Sequence, residues 1–469
     1  MVNKTKLVYL LPYVKSNLIR RSKSIIILMA LLFLFSLPVL SQSSYKGLPG
    51  FIIPDGVGVN THFITGGNKD HDMIASAGIK VIRQDFLWSA IEKEKGKYNW
   101  SPYDSLVSEL DHLGIRLLVT LNLNNPIYTD GRPIRWAATD PADIEGYAKF
   151  ASAAALRYKS SHCIWEIWNE PNGKHTWAPC ENATQYSVLA LAACKAIRDV
   201  VPNATIIAPA MAGIHYEWLD TLFSSGLLKY IDGVSIHPYR DGPPPLVPES
   251  VGKPLKKVQD LVAKYAPAGK KIYVVSGEWG YTTCLLPIGV SLQTQADYAA
   301  RMQLFNLYSG IPLTIWYDWK NDGQDLYARG QNRGLVTHDL NLKPSYAALS
   351  TLTHELSGYY VYGRFNPSDT SDYVLILKNS KGVVKLAAWT QGKPHEVSIK
   401  LAEVSFPNTS KIVWWIDGNT KSGKVNVKAK GFPVYLNNTP KYCSTFPPLP
   451  LPKYDIDSFP MKDTLRQNQ

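Results

Sequence analysis

"IWEIWNEPNG", residues 164–173, begins as an apolar strand and ends on Asn169, Glu170 and Pro171. "KIYVVSGEWG", residues 271–280, repeats the pattern and ends on Glu278 followed by Trp279. A β-branched and aromatic run that stops on an acid puts a charge where a strand leaves the interior, because a lone carboxylate is too costly to keep inside. Whether both acids reach one place depends on the fold that joins them.

Six further runs have the same texture: "GVGVNTHF" from 56, "IKVIRQDF" from 79, "IRLLVTLN" from 115, "TIIAPAM" from 205, "GVSIHPY" from 233 and "LTIWYDW" from 313. Between the runs lie stretches with a helical apolar face. In "SPYDSLVSELDHLG" (101–114) Ser101 is placed to cap and Gly114 to stop, and "NATQYSVLALAACKAIRDV" (182–200) is another such stretch. Eight strands with crossover helices predict an α/β fold, a (β/α)8 TIM barrel over residues 50–357. A doubly wound open sheet is the alternative. It wants a Gly-rich phosphate loop after an early strand, and "GVGVN" runs into His62 and Phe63 without one. After residue 358 the pattern changes to alternation of period two ("DYVLILKN", "VVKLAAWT", "EVSIKL"), which predicts a small all-β sandwich over 358–440, followed by a Pro-rich tail at 441–469.

Hydrophobic residues make up 45% of the chain and charged residues 19%, the balance of a globular protein. Half of the formal net charge of +12 comes from Lys4, Lys6, Lys15, Arg20, Arg21 and Lys23, with no acid before Asp55. The body carries no basic run or RNA-binding signature, so a nucleic-acid partner is not expected. The cations precede "SIIILMALLFLFSLPVL" (24–40) and "SQSS", so residues 1–41 read as an export signal cut near Ser41 or as an uncleaved membrane anchor; either puts the body outside the cytoplasm. Five cysteines without paired spacing argue against a zinc site. Cys180 and Cys284 follow strands four and seven, where they form either a bridge across the catalytic face or two separate thiols. "NKDHD" (68–72) reads as a capping loop before the first helix. "NDGQD" (321–325) lacks the terminal Glu of a calcium loop and reads as a loop that closes over substrate. No metal and no cofactor is expected.

In such a barrel the C-terminal ends of the strands share one face, so Glu170 and Glu278 would point into one cleft. Two facing carboxyl groups are the working parts of glycosidic bond hydrolysis: one protonates the leaving oxygen, the other attacks the anomeric carbon or activates water. Arg83 on strand two is placed to hold one of them ionised, Asn169 to bond a sugar 2-hydroxyl, and His237 and Tyr239 to bring donors to the same rim. His62 and Asn122 end strands one and three at that rim. Trp316 and Trp279 are the first candidates for sugar platforms, with Trp88, Tyr128, Trp136, Trp177, Tyr281, Tyr317 and Trp319 behind them. Trp165 and Trp168 are the apolar neighbours expected to keep Glu170 protonated.

"WNEPN" and "SGEWG", with Arg83, the His-x-Tyr of 237–239 and Trp316, resemble the signature of clan A glycoside hydrolases. Within the clan, "RQDFLWSAIEKEKGKYNW" (83–100) is most similar to bacterial proteins of families 5 and 39, some linked to exopolysaccharide turnover. The resemblance covers residues 50–440 and implies a retaining β-glycosidase with Glu170 as acid/base, Glu278 as nucleophile and a carbohydrate substrate. The competing classes are a non-catalytic glycan-binding protein on a degenerate barrel and a surface scaffold using the sandwich. The sugar, the linkage and the mode of attack lie in loops that the motifs do not specify.

Overall fold

The eight apolar runs become eight parallel strands in the computed structural model, which describes residues 47–365, 369–392, 395–400, 424–429 and 434–436. They are β1 (Val57–Asn60), β2 (Val81–Leu87), β3 (Arg116–Asn122), β4 (Ile164–Ile167), β5 (Thr205–Ala212), β6 (Gly233–His237), β7 (Tyr273–Trp279) and β8 (Thr314–Trp316). They close in the order β1-β8-β7-β6-β5-β4-β3-β2, which makes a barrel and removes the open-sheet alternative. Among the described residues, eight helices of nine residues or more alternate with them: α1 (Asn68–Ser76), α2 (Ser101–Leu113), α3 (Pro141–Arg157), α4 (Ala183–Val200), α5 (Tyr216–Ser224), α6 (Gly252–Tyr265), α7 (Leu292–Tyr308) and α8 (Pro344–Glu355), with one further short turn of helix at Trp88–Ile91.

The strands are apolar almost throughout because both faces are covered; all seven residues of β3 are buried. The inner face holds a separate apolar cluster of Val81, Leu118, Ile164, Ile207, Val275, Leu313 and Ile315. Outward residues such as Trp165 and Ile167 join the larger core beneath the helices. At one end Arg116 ties the inner layer to loop carbonyls, donating to His162 O (2.7 Å) and Gly47 O (2.7 Å).

Helix ends follow local chemistry. Gly114 stops α2 in the left-handed region (φ 65°), a conformation open to a residue without Cβ. Ser101 is not its cap: it is the first helical residue, and its N–H donates to Asn99 Oδ1 (3.2 Å). Asn182 caps α4 by accepting from Gln185 N (3.0 Å). "NKDHD" is not a loop before a helix but the first turns of α1, where Asp70 accepts from Trp319 Nε1 (2.7 Å) and pairs with Lys320.

Beyond the barrel a four-stranded antiparallel sheet runs β9 (Tyr359–Phe365), β10 (Asp372–Asn379), β11 (Val384–Thr390) and β14 (Val434–Leu436), with a separate pair β12 (His395–Lys400) and β13 (Lys424–Ala429). The expected sandwich is thus met by a small antiparallel β unit. Its intervening segments, the tail at 441–469 and the leader at 1–41 lie outside the described residues. Among the described residues no helix is long and apolar enough to cross a membrane.

Candidate active site

Alternation along each strand builds the site in layers. On β2, Val81 faces the apolar floor, Arg83 lies two residues higher and Asp85 four; β3 supplies Leu118, Thr120 and Asn122, and β4 supplies Ile164 and Glu166. Glu166 is fully buried and accepts three bonds, from Arg83 Nε (2.7 Å), Thr120 Oγ1 (2.9 Å) and Ser235 Oγ (2.6 Å). Arg83 spends its remaining donors upward, on Asn60 Oδ1 (2.9 Å), Glu278 Oε2 (3.2 Å) and Asn169 Oδ1 (2.7 Å). Burial alone would lower the Arg83 pKa, but Glu166 and Glu278 raise it, so the guanidinium stays charged.

Past β4 the chain leaves the strand abruptly. Trp168 (φ 68°) and Glu170 (φ 49°) both adopt the left-handed backbone region, as does Ala210 (φ 56°), whose carbonyl accepts from Glu170 N (2.9 Å). For residues with a Cβ this conformation costs about 1–2 kcal/mol each, and such strain collects at functional sites. The result is a division of labour: Trp168 packs on Tyr147 and Trp177 in the outer core, while Asn169 and Glu170 turn to the cleft.

At the cleft floor His237 Nδ1 lies 2.9 Å from Glu170 Oε1 and 3.7 Å from Glu278 Oε2. One oxygen of Glu170, one of Glu278 and a His237 ring nitrogen all lie within 4.8 Å of one another. Tyr239 OH donates to Glu278 Oε1 (2.6 Å), and burial together with the Glu278 charge pushes the phenol pKa far up, keeping it a donor. Burial opposes charge on His237, but Glu278 and Glu170 overcome it and raise its pKa. Burial would raise Glu170, yet its bond to His237 and the nearby Arg83 lower it. The neighbour that sets Glu170 is therefore His237, not a tryptophan; Trp165 and Trp168 are both buried in the outer core.

The remaining candidates divide. His62, 43% exposed at its side chain, and Asn122, 5% exposed, lie at the ends of β1 and β3. Trp316 and Trp279 are fully buried, so neither offers a free ring face; Trp316 Nε1 donates to Arg333 O (3.1 Å) and fixes the β8 loop. Trp88, Trp177, Tyr281 and Trp319 are buried too, whereas Tyr128, Trp136 and Tyr317 are half-buried. Cys180 and Cys284 are both free: Cys180 is exposed, while Cys284 is buried in a loop that Thr283 and Leu285 tie to Asn332 and Leu326. Sequence reading passed over Glu166 and Asp85. The available signal was period two, since Glu166 shares a face with Ile164, and Asp85 shares one with Arg83.

A family model, Cellulase (glycosyl hydrolase family 5), matches residues 54–323. Among solved structures the chain resembles a family 39 glycoside hydrolase from Bacteroides cellulosilyticus WH2, with 24% identity, TM-score 0.68 and coverage of 83% of this chain and 82% of that one. A monomeric beta-xylosidase from Caulobacter crescentus CB15 shares 18% identity at TM-score 0.54 over 74% and 76%. The family 30 subfamily 8 xylanase Xyn30A from Clostridium acetobutylicum shares 15% at TM-score 0.55 over 81% and 94%. These structures share the fold. Because the family model runs from ahead of β1 to beyond β8 and so takes in every strand that bears the cleft, the chain belongs to the cellulase family, glycosyl hydrolase family 5.

Proposed function

We propose that the protein is an exported retaining β-glycosidase that cleaves an extracellular oligo- or polysaccharide by double displacement. The observation that carries this reading is that one oxygen of Glu170 and one of Glu278 lie within 4.8 Å of each other, too close to leave the gap of an inverting pair between them. Retaining enzymes hold their carboxyl groups about 5 Å apart, whereas inverting enzymes leave room for a water at roughly 6.5–9.5 Å. Export rests on the basic and apolar leader at residues 1–41.

Glu278 is the nucleophile, held in place by bonds from Tyr239 and Arg83. Glu170 is the acid/base, and the proton it delivers comes from His237, whose Nδ1 lies 2.9 Å from Oε1. Against burial, the Glu278 charge is the largest influence that raises the His237 pKa. As Glu278 bonds to the anomeric carbon that charge disappears, His237 holds its proton less tightly, and the proton passes through Glu170 to the departing oxygen. Glu170, now a base, deprotonates the water that attacks the same carbon and releases Glu278. Asn169 has its carbonyl oxygen engaged by Arg83, which leaves its amide nitrogen to donate to a sugar 2-hydroxyl, a contact that strengthens in the transition state.

The test is intact mass and peptide mapping after incubation with 2-deoxy-2-fluoro β-glycosyl fluorides of the gluco, galacto, manno and xylo series. An adduct on Glu278 is expected with one of them. Unchanged turnover by Glu278→Gln on a competent substrate overturns the assignment.

A further inference from the structure

Beside the two glutamates, the ends of β1 and β8 bring together a second cluster that hydrolysis does not use. His62 Nε2 lies 3.7 Å from Asp318 Oδ2, and a His62 nitrogen, an Asp318 oxygen and an Asp322 oxygen all lie within 4.8 Å of one another. The three line a cavity of ≈ 20 Å³. A single water needs roughly 10–15 Å³, so the cavity takes one ion or water and excludes a sugar ring.

Asp318 is 1% exposed, and its Oδ1 has no hydrogen-bond partner among the described residues. A buried acceptor left without a donor costs about 1–3 kcal/mol, more when charged. The nearby cations make their hydrogen bonds and ion pairs elsewhere, Lys320 with Asp70, Arg333 with Asp241 and Gly280 O, and Lys343 with Thr283 Oγ1 and Asn321 Oδ1, so Lys343 and Arg333 reach Asp318 only through their charge. His62 brings a ring nitrogen to the same place. Arg83 fixes the Asn60 amide through Oδ1, which turns Nδ2 toward His62 Nε2 at 3.3 Å. A metal at Nε2 would take the one in-plane lone pair that Asn60 Nδ2 now faces, so the ion would displace this long contact.

We propose that His62, Asp318 and Asp322 form a divalent-cation site at the β1–β8 seam of the cleft. One imidazole and two carboxylates suit Zn²⁺, which takes three protein ligands and keeps a fourth position open, better than Ca²⁺, which takes six to eight oxygens. His62, 43% exposed at its side chain, leaves the cluster open to solvent on one flank. The ion would satisfy Asp318 and clamp the first and last strands where the barrel closes.

The chelator-treated full chain is titrated with Zn²⁺ by calorimetry, its retained metal counted by elemental mass spectrometry after dialysis, and its melting followed with and without Zn²⁺. One zinc per chain and a raised melting temperature are expected. Both are lost, or binding weakened at least about tenfold, in Asp322→Asn and in His62→Gln, whose side chains are exposed enough for the fold to tolerate the change. Glu278→Gln keeps the zinc, which separates this site from the catalytic carboxylates. No zinc on the wild type, zinc undiminished in either of the two cluster variants, or zinc lost with Glu278→Gln overturns the proposal. None of these readouts uses turnover.

Discussion

A guanidinium buried as deeply as that of Arg83 needs its charge answered, and Glu166 answers it from below while Glu278 does so from above. Removing one partner of a buried pair leaves the other uncompensated, which typically costs 3–5 kcal/mol. Glu166→Ala should therefore lower stability by about that amount in urea unfolding, although Glu166 lies beneath the cleft; a change within experimental error would mean that Arg83 is held by its upper partners alone. His237 and Glu170 give a pH signature. The His237 pKa is raised above 6.5, so the stability from its charge is complete below 6.5 and is lost as pH rises through the raised value. The Glu170 pKa is lowered below 4.5, so its share is complete above 4.5 and is lost as pH falls through the lowered value. Both contributions coexist between 4.5 and 6.5. The melting-temperature gap between wild type and His237→Asn should peak in that window and shrink on the alkaline side. A flat gap across pH would show that only packing was lost.

The strands put these groups at their heights, and one glycine sets how closely two strands meet. A Cβ on Gly277 in β7 would stand 2.1 Å from Ser235 Oγ of β6 and 3.0 Å from Glu166 Oε1. Gly277→Ala should cost about 1–3 kcal/mol, the range for overpacking a filled interior, and should disturb the Ser235–Glu166 bond. Because Ser235 Oγ is the main obstacle, the double variant Gly277→Ala/Ser235→Ala should cost less than the sum of the singles in denaturant unfolding; additivity would place the strain elsewhere. This scale also marks what the sequence disclosed. Eight apolar runs were legible because each parallel strand is covered on both faces, and Glu170 and Glu278 because each closes such a run. Glu166 was hidden because a mid-strand acid gains its meaning only from Arg83, Thr120 and Ser235 on three other strands. The left-handed turns at Trp168, Glu170 and Ala210 were hidden because none carries the glycine that usually announces one. Trp316 and Trp279 close β8 and β7 as members of the larger core, and in β8 period two already sets Trp316 opposite the inward Ile315.

At the scale of the molecule, the antiparallel sheet is bonded to the barrel through a buried charge. Trp389 Nε1 in β11 donates to Glu249 Oε1 (2.7 Å), and Glu249 also accepts from Arg301 Nε (2.8 Å) and Nη2 (2.6 Å) on α7. Tyr373 stacks on Trp389 with centroids 5.1 Å apart and meets Phe305 of α7 edge-on at 5.8 Å. The strand-to-helix contact thus joins aromatic packing to a buried ion pair. Such a junction argues for support of the barrel as the sheet's work, and for cooperative unfolding of the two parts. Far-UV dichroism and tryptophan fluorescence should accordingly give coincident denaturation curves. Trp389→Phe keeps most of the ring packing and removes only the N–H, leaving Glu249 bonded to Arg301. Loss of a bond to a charged acceptor is worth about 1.5–3 kcal/mol, so the midpoint for the whole chain should fall while the slope stays the same. If the curves separate in the wild type, or if Trp389→Phe shifts an early partial transition and leaves the main one in place, the sheet is an appendage and the Glu249 junction does not support the barrel.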